Sequence, residues 1–166
     1  MKKILYLFLA LASYGIFAQT TAEEYLNSAV SKFYLDDMKG AIVDYTKAII
    51  IDPSYVEAYR KRGLAKEELK DFSGAIVDYT KAIEIDPNYA FALHDRGITK
   101  GKLKDFSGAI ADYIIAIKID PNYATAYFNR GVSKFYLGDM IGACKDARKA
   151  QELGDDASIL IKKACN

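Results

Sequence analysis

Residues 56–89, VEAYRKRGLAKEELKDFSGAIVDYTKAIEIDPNY, are followed directly by residues 90–123, AFALHDRGITKGKLKDFSGAIADYIIAIKIDPNY. Set one above the other, the two 34-residue stretches agree at 21 positions, where unrelated sequence of ordinary composition would agree at about two. Self-similarity at a fixed period of this length is the signature of stacked supersecondary units. The register extends outward on Asp52-Pro53, Asp86-Pro87 and Asp120-Pro121, with Tyr55, Tyr89 and Tyr123 two residues after each proline. Four units result, 22–55, 56–89, 90–123 and 124–156.

Each unit reads as a helical hairpin. In the second, Tyr59, Gly63, Lys66 and Leu69 step along one helix at spacings of three and four. Asp71-Phe72 mark a turn, and Ala75, Tyr79, Ala82 and Ile83 define a second helix. Asp86-Pro87 ends it, because proline lacks an N–H and turns the preceding residue away from helical backbone. Gly63, Gly97 and Gly131, with Ala29 in the first unit, let the two helices approach closely. A terminal helix over about 157–165 follows, with Ile159, Leu160 and Ala164 expected inward and Lys162 and Lys163 toward solvent.

The residues that carry this pattern are Tyr59, Leu69, Gly74, Ala75, Tyr79, Ala82 and Pro87 in the second unit. The third carries Gly97, Leu103, Gly108, Ala109, Tyr113, Ala116 and Pro121. On them the chain resembles the tetratricopeptide-repeat (TPR) family over essentially all of 22–155. The resemblance implies an all-α, right-handed α-solenoid of four TPR hairpins closed by a C-terminal capping helix at 157–166. Departures sit at the ends. Ala29 and Met38 replace Gly and Phe in the first unit, Ala147 replaces Tyr in the last, and Gly154-Asp155 stands for Asp-Pro. Terminal repeats depart in this way because one face has no like neighbour.

Composition fits this frame and narrows the function. The 166 residues include 23 Lys+Arg and 22 Asp+Glu, a formal net charge of +1. Such balance gives no reason to expect nucleic acid as the partner. At the N-terminus Lys2 and Lys3 precede an apolar run from Ile4 to Ala12, with small and aromatic residues up to Ala18. This is the pattern of a signal peptide, 1–18, with a short linker at 19–21, and it points to export to a periplasm or the extracellular space. The apolar run is short against the roughly 20 residues of a transmembrane span. Membrane contact is expected only if this segment stays uncleaved.

Cys144 and Cys165 are the two cysteines. If their helices pack antiparallel about Gly154, the thiols meet at one end, and an exported chain would join them in a disulfide. The competing reading makes Cys144 a small apolar filler and Cys165 a frayed end. Two cysteines and one unrelated histidine fall short of a zinc site, and no cofactor is expected.

The resemblance further implies that the first helix of each hairpin lines a concave groove where protein or peptide partners lie. The residues this places there are Leu26, Val30, Phe33 and Tyr34, then Arg60, then His94 and Lys102, then Phe128, Phe135 and Tyr136. Aromatic anchors suit protein recognition, although Phe33 and Phe135 could equally pack between helices. Leu26 and Val30 stand where a carboxylate clamp of the chaperone-tail receptors would need polar residues. Arg62, Arg96 and Arg130 on first helices and Asp44, Asp78, Asp112 and Asp146 on second helices recur together, which suggests structural ion pairs whose register the sequence leaves open. His94 has no nucleophile motif beside it and reads as a solvated groove residue. The expected function is a non-enzymatic interaction scaffold, monomeric by preference. The alternative is a structural or self-associating component of a cell-envelope complex.

Overall fold

The computed structural model of the chain describes residues 21–165, so the expected signal peptide lies outside the described residues. The described residues form nine helices and no strand. They fall into two compact units that divide at Asp71 and Phe72. The first unit holds α1 (21–34), α2 (Met38–Ile51) and α3 (Val56–Glu68). The second holds α4 (Phe72–Ile85), α5 (Ala90–Lys102), α6 (Phe106–Ile119), α7 (Ala124–Tyr136), α8 (Met140–Glu152) and α9 (Ser158–Ala164). Among the described residues no helix is long and apolar enough to cross a membrane.

Local chemistry sets the helix ends. Asp37, Asp105 and Asp139 cap α2, α6 and α8, each carboxylate accepting from the backbone N–H three residues on, at Gly40 (2.9 Å), Gly108 (2.9 Å) and Gly142 (2.8 Å). The residue before each of these caps, Asp36, Lys104 or Gly138, takes left-handed backbone (φ 63°, 64° and 83°) and reverses the chain. At the far end of the second helices the Asp-Pro step makes its own turn. Asp52, Asp86 and Asp120 each accept through Oδ1 from the N–H two residues later, at Ser54 (2.9 Å), Asn88 (3.0 Å) and Asn122 (2.9 Å).

Alanine at fixed positions brings the helices together. Ala41 and Ala48, Ala75 and Ala82, Ala109 and Ala116, and Ala143 and Ala150 are all fully buried on second helices. Ala58, Ala92 and Ala126 are fully buried on first helices. Between these small residues Tyr45, Tyr79 and Tyr113 are enclosed. Gly97 shows why the first helix needs glycine at its crossing, since a Cβ there would stand 2.6 Å from the ring of Tyr113. Packing at interior density leaves no room for it.

In the last hairpin Ala147 takes the place of that tyrosine, and α9 makes up the difference. α9 packs on α7 and α8. Leu160 lies 3.1 Å from where a Cβ on Gly131 would stand, at the crossing that corresponds in this hairpin to the one Tyr113 fills at Gly97. The inward stripe of α9 is Ala157, Leu160 and Ala164, whereas Ile159 is 72% exposed. This corrects the expected stripe. At 3.6 residues per turn, 157, 160 and 164 share one face, and 159 falls well off it. Cys144 and Cys165 are bonded, with S–S 2.12 Å and Cα atoms 5.0 Å apart, so the bond ties the end of α9 to α8.

Candidate functional site

The arginine–aspartate ladder orients the faces that remain open, and the structure supplies its register. Arg96 donates to both oxygens of Asp112 (2.9 and 2.7 Å), and Arg130 does the same to Asp146 (2.8 and 2.7 Å). Lys100 and Lys134, one helical turn on, reach the same carboxylates at 2.7 and 2.8 Å. Each aspartate is therefore a buried acceptor on a second helix, held by two cations of the preceding first helix. Arg96 also reaches Thr80 Oγ1 (3.0 Å), which ties α5 to α4. These pairs are enclosed, so breaking them has consequences that an exposed surface pair would not.

In the first unit Ser28 stands where the later repeats have arginine. Its hydroxyl donates to Asp44 (2.7 Å), with Lys32 and Lys47 also on that carboxylate. Burial alone would raise the Asp44 pKa. The hydrogen bonds from Lys32, Ser28 and Lys47 outweigh it and bring the value down to about 2. A folded pKa below the unfolded one contributes stability that is complete above the unfolded value, near 3.9, and is lost as pH falls through the folded value. Thermal melts between pH 5 and pH 2 are therefore expected to show wild type losing stability below about pH 4 by more than Asp44→Asn does. Parallel pH profiles for the two proteins would refute this assignment.

With the ladder buried, the first helices present their other sides. In the first unit α1 and α3 bring Val30, Phe33, Tyr34 and Arg60 to one concavity of about 230 Å³, with Lys61 and Leu64 beside them. Tyr34 is 82% exposed. Leu26, expected in the groove, is buried instead. A hydrophobic side chain at the 3.6-residue spacing from Ala22 and Ala29 follows them into the core.

In the second unit α5 and α7 bring Lys102 and Tyr136 to a concavity of about 240 Å³ that also holds Ile98, Gly101, Phe106 and Val132. Tyr136 stacks on Phe106, with centroids 4.8 Å apart and planes 9° from parallel, and it keeps 64% of its surface in solvent. His94 is a correction. It is buried rather than solvated, its ring against Tyr123 (4.8 Å) and Tyr113 (5.8 Å). The Asn129 amide donates to its Nε2 (3.0 Å). With Asn129 on one ring nitrogen and the Asp95 carboxylate 3.6 Å from Nδ1, the imidazole has polar neighbours on both nitrogens although aromatic rings surround it. Phe128 and Phe135 are half-buried and pack against the cluster of Ala143, Ala147, Leu160 and Ala164 beneath the terminal helix. Of the ten expected groove residues, Tyr34, Lys102 and Tyr136 are exposed, and Val30, Phe33 and Arg60 line a concavity.

A larger hollow of about 570 Å³ lies along α8, lined among others by Ile141, Lys145, Arg148 and Glu152. It shares no residue with the first-helix concavities. Among the described residues no group of three His, Cys, Asp or Glu side chains is placed to hold a metal ion. Gly101 is the feature that sequence reading missed. Its signal was available as the one missing side chain at a position held by Phe33, Glu67 and Phe135 elsewhere.

Comparison with known proteins agrees with this architecture. Two family profiles match, one described as tetratricopeptide repeat over residues 56–89 and one as TPR repeat over residues 102–138. The chain carries tetratricopeptide repeats in an all-α helical-repeat fold. No curated protein matches its sequence at a significant level. Among solved structures it is similar to a crystal structure of MamA, at 25% identity and a TM-score of 0.80, over 87% of this chain and 80% of that one. It is similar to the first TPR domain of Spaghetti (RPAP3) bound to the HSP90 peptide SRMEEVD, at 26% identity and a TM-score of 0.65, over 66% of this chain and 90% of that one. The Arabidopsis OM64 TPR domain is similar at 25% identity and a TM-score of 0.69, over 72% of this chain and 98% of that one.

Proposed function

We propose that this chain is a non-enzymatic interaction scaffold that holds an extended peptide or a partner protein on the open faces of its first helices, outside the cytoplasm. The observation that carries the reading is that first helices line a concavity in each unit, edged by an exposed tyrosine, Tyr34 in one and Tyr136 in the other. Tyrosine offers a large, rigid, amphipathic contact at small conformational cost, which suits a recognition surface. The peptide-bound RPAP3 domain is a similar fold with a peptide in place. Export is supported by the apolar N-terminal segment and by a Cys144–Cys165 bond of the kind that persists in oxidising compartments.

The test is affinity capture from a cell-envelope extract, with wild type beside a Tyr34→Ser, Tyr136→Ser variant. Both side chains are exposed, and circular dichroism checks that helicity is equal. The variant is expected to lose at least tenfold of whatever wild type retains. Equal retention by the two proteins would remove the first-helix faces as the binding site.

A further inference from the structure

The exposed face of α8 departs from its counterparts in the other three repeats at positions that line the larger hollow. Lys145 stands where they have Val43, Val77 and Ala111, and Arg148 where they have Thr46, Thr80 and Ile114. At position 141 the exchange runs the other way, with isoleucine replacing Lys39, Ser73 and Ser107. A last repeat that needed only wetting would gain polar residues on its open side. It would not place an isoleucine among them at 87% exposure. The three exchanges instead set an apolar side chain beside two cations, at the helical spacings of four and three that make neighbours.

The charges in the hollow do not cancel. Asp146 is held by Arg130 and Lys134, and Glu152 accepts from Lys149 (2.7 Å). Lys145 and Arg148 are exposed and have no hydrogen bond or ion pair among the described residues. The lining thus sets Arg130, Lys145, Arg148 and Lys149 against two carboxylates that already have partners. An arginine fork beside an ammonium is suited to an incoming carboxylate.

The rest of the lining is apolar in character. It comprises Ile141, the ring of Tyr127, and Cys144, whose sulfur is closed in the disulfide. Among the described residues no Ser, Thr, Asn or Gln lines the hollow. An extended peptide brings an N–H and a C=O with every residue, and few of them would find partners here. An occupant with one anionic group and an apolar body suits the lining better. The volume of about 570 Å³ falls within the roughly 300–1,000 Å³ of sites that take a whole small molecule.

We infer that this hollow binds a small amphipathic carboxylate, its charged group held by Arg148 and Lys145 and its apolar body laid on Ile141 and Tyr127. Such a site is independent of peptide binding at the first helices, since it shares no residue with their concavities.

The test is titration of the full chain with decanoate, below its micelle concentration, by calorimetry and by amide NMR, with decanol as the uncharged control. Saturable binding is expected, with amide shifts centred on α8 and with decanol at least tenfold weaker. Two variants restore residues that other repeats carry at these exposed positions, so both are expected to keep the fold. Lys145→Val, Arg148→Thr is expected to weaken decanoate at least tenfold and to leave decanol unchanged. Ile141→Ser is expected to weaken both ligands. Absence of saturable decanoate binding, or shifts centred on another helix, would overturn the site. Equal affinity for decanoate and decanol, or decanoate binding unchanged in both variants, would overturn it as well.

Discussion

Asp112→Ala is expected to lower the unfolding free energy by about 3 kcal/mol, the low end of the range for breaking a buried ion pair. The substitution removes the carboxylate that answers both the fork of Arg96 and the ammonium of Lys100. The Arg96 and Lys100 side chains keep only 16% and 20% of their surface in solvent. They cannot rehydrate fully without moving off the helix. The loss therefore comes from stranded cations more than from a forfeited attraction. That distinction has its own measurement. An Arg96→Met, Asp112→Ala double variant should recover part of the loss in urea denaturation, because one stranded cation is gone. Additive losses would show that the aspartate acts by packing alone.

Opening the Cys144–Cys165 bond is the second large effect. It closes a segment whose ends are 21 residues apart, and the chain-entropy estimate for a loop of that size is about 3 kcal/mol. In a repeat array each element leans on its neighbours, so the loss should be local. Hydrogen exchange on Cys165→Ser is expected to show α9 near the unprotected limit and the adjoining part of α8 less protected, with α5 and α6 unchanged. Uniform loss of protection through the second unit would mean that the last hairpin and the rest of that unit unfold together.

The fold was legible because its signals repeat. Asp-Pro-x-Tyr, the buried alanines and the glycine at the helix crossing each occur several times at a fixed spacing, so no single position had to be read alone. The ion pairs were legible as a ladder but not in register. With a 34-residue period, Arg96 stands 16 residues before Asp112 and 18 after Asp78, and periodicity treats the two alike. Only the placed helices show Arg96 on Asp112. The candidate site was harder for a related reason. Positions 26, 60, 94 and 128 are equivalent in sequence, yet exposure depends on what lies across from each. Tyr123 and Asn129 enclose His94, while Leu26 follows Ala22 and Ala29 inward. Gly101 escaped notice because attention goes to side chains that carry chemistry, and its contribution is the absence of one.

The terminal helix also bears on how such a chain can change in length over evolutionary time. Leu160 sits at the crossing where an interior repeat would bring its own tyrosine, and the disulfide fastens α9 there. A 34-residue duplication placed after residue 153 would find its docking face already taken. The same duplication spliced between Tyr89 and Ala90 would meet kin on either side, since the units flanking that junction agree at 21 of 34 positions. Growth is thus closed at the C-terminal end and permitted in the middle, where each added copy would bring another choice of residue at the position now held by Gly101.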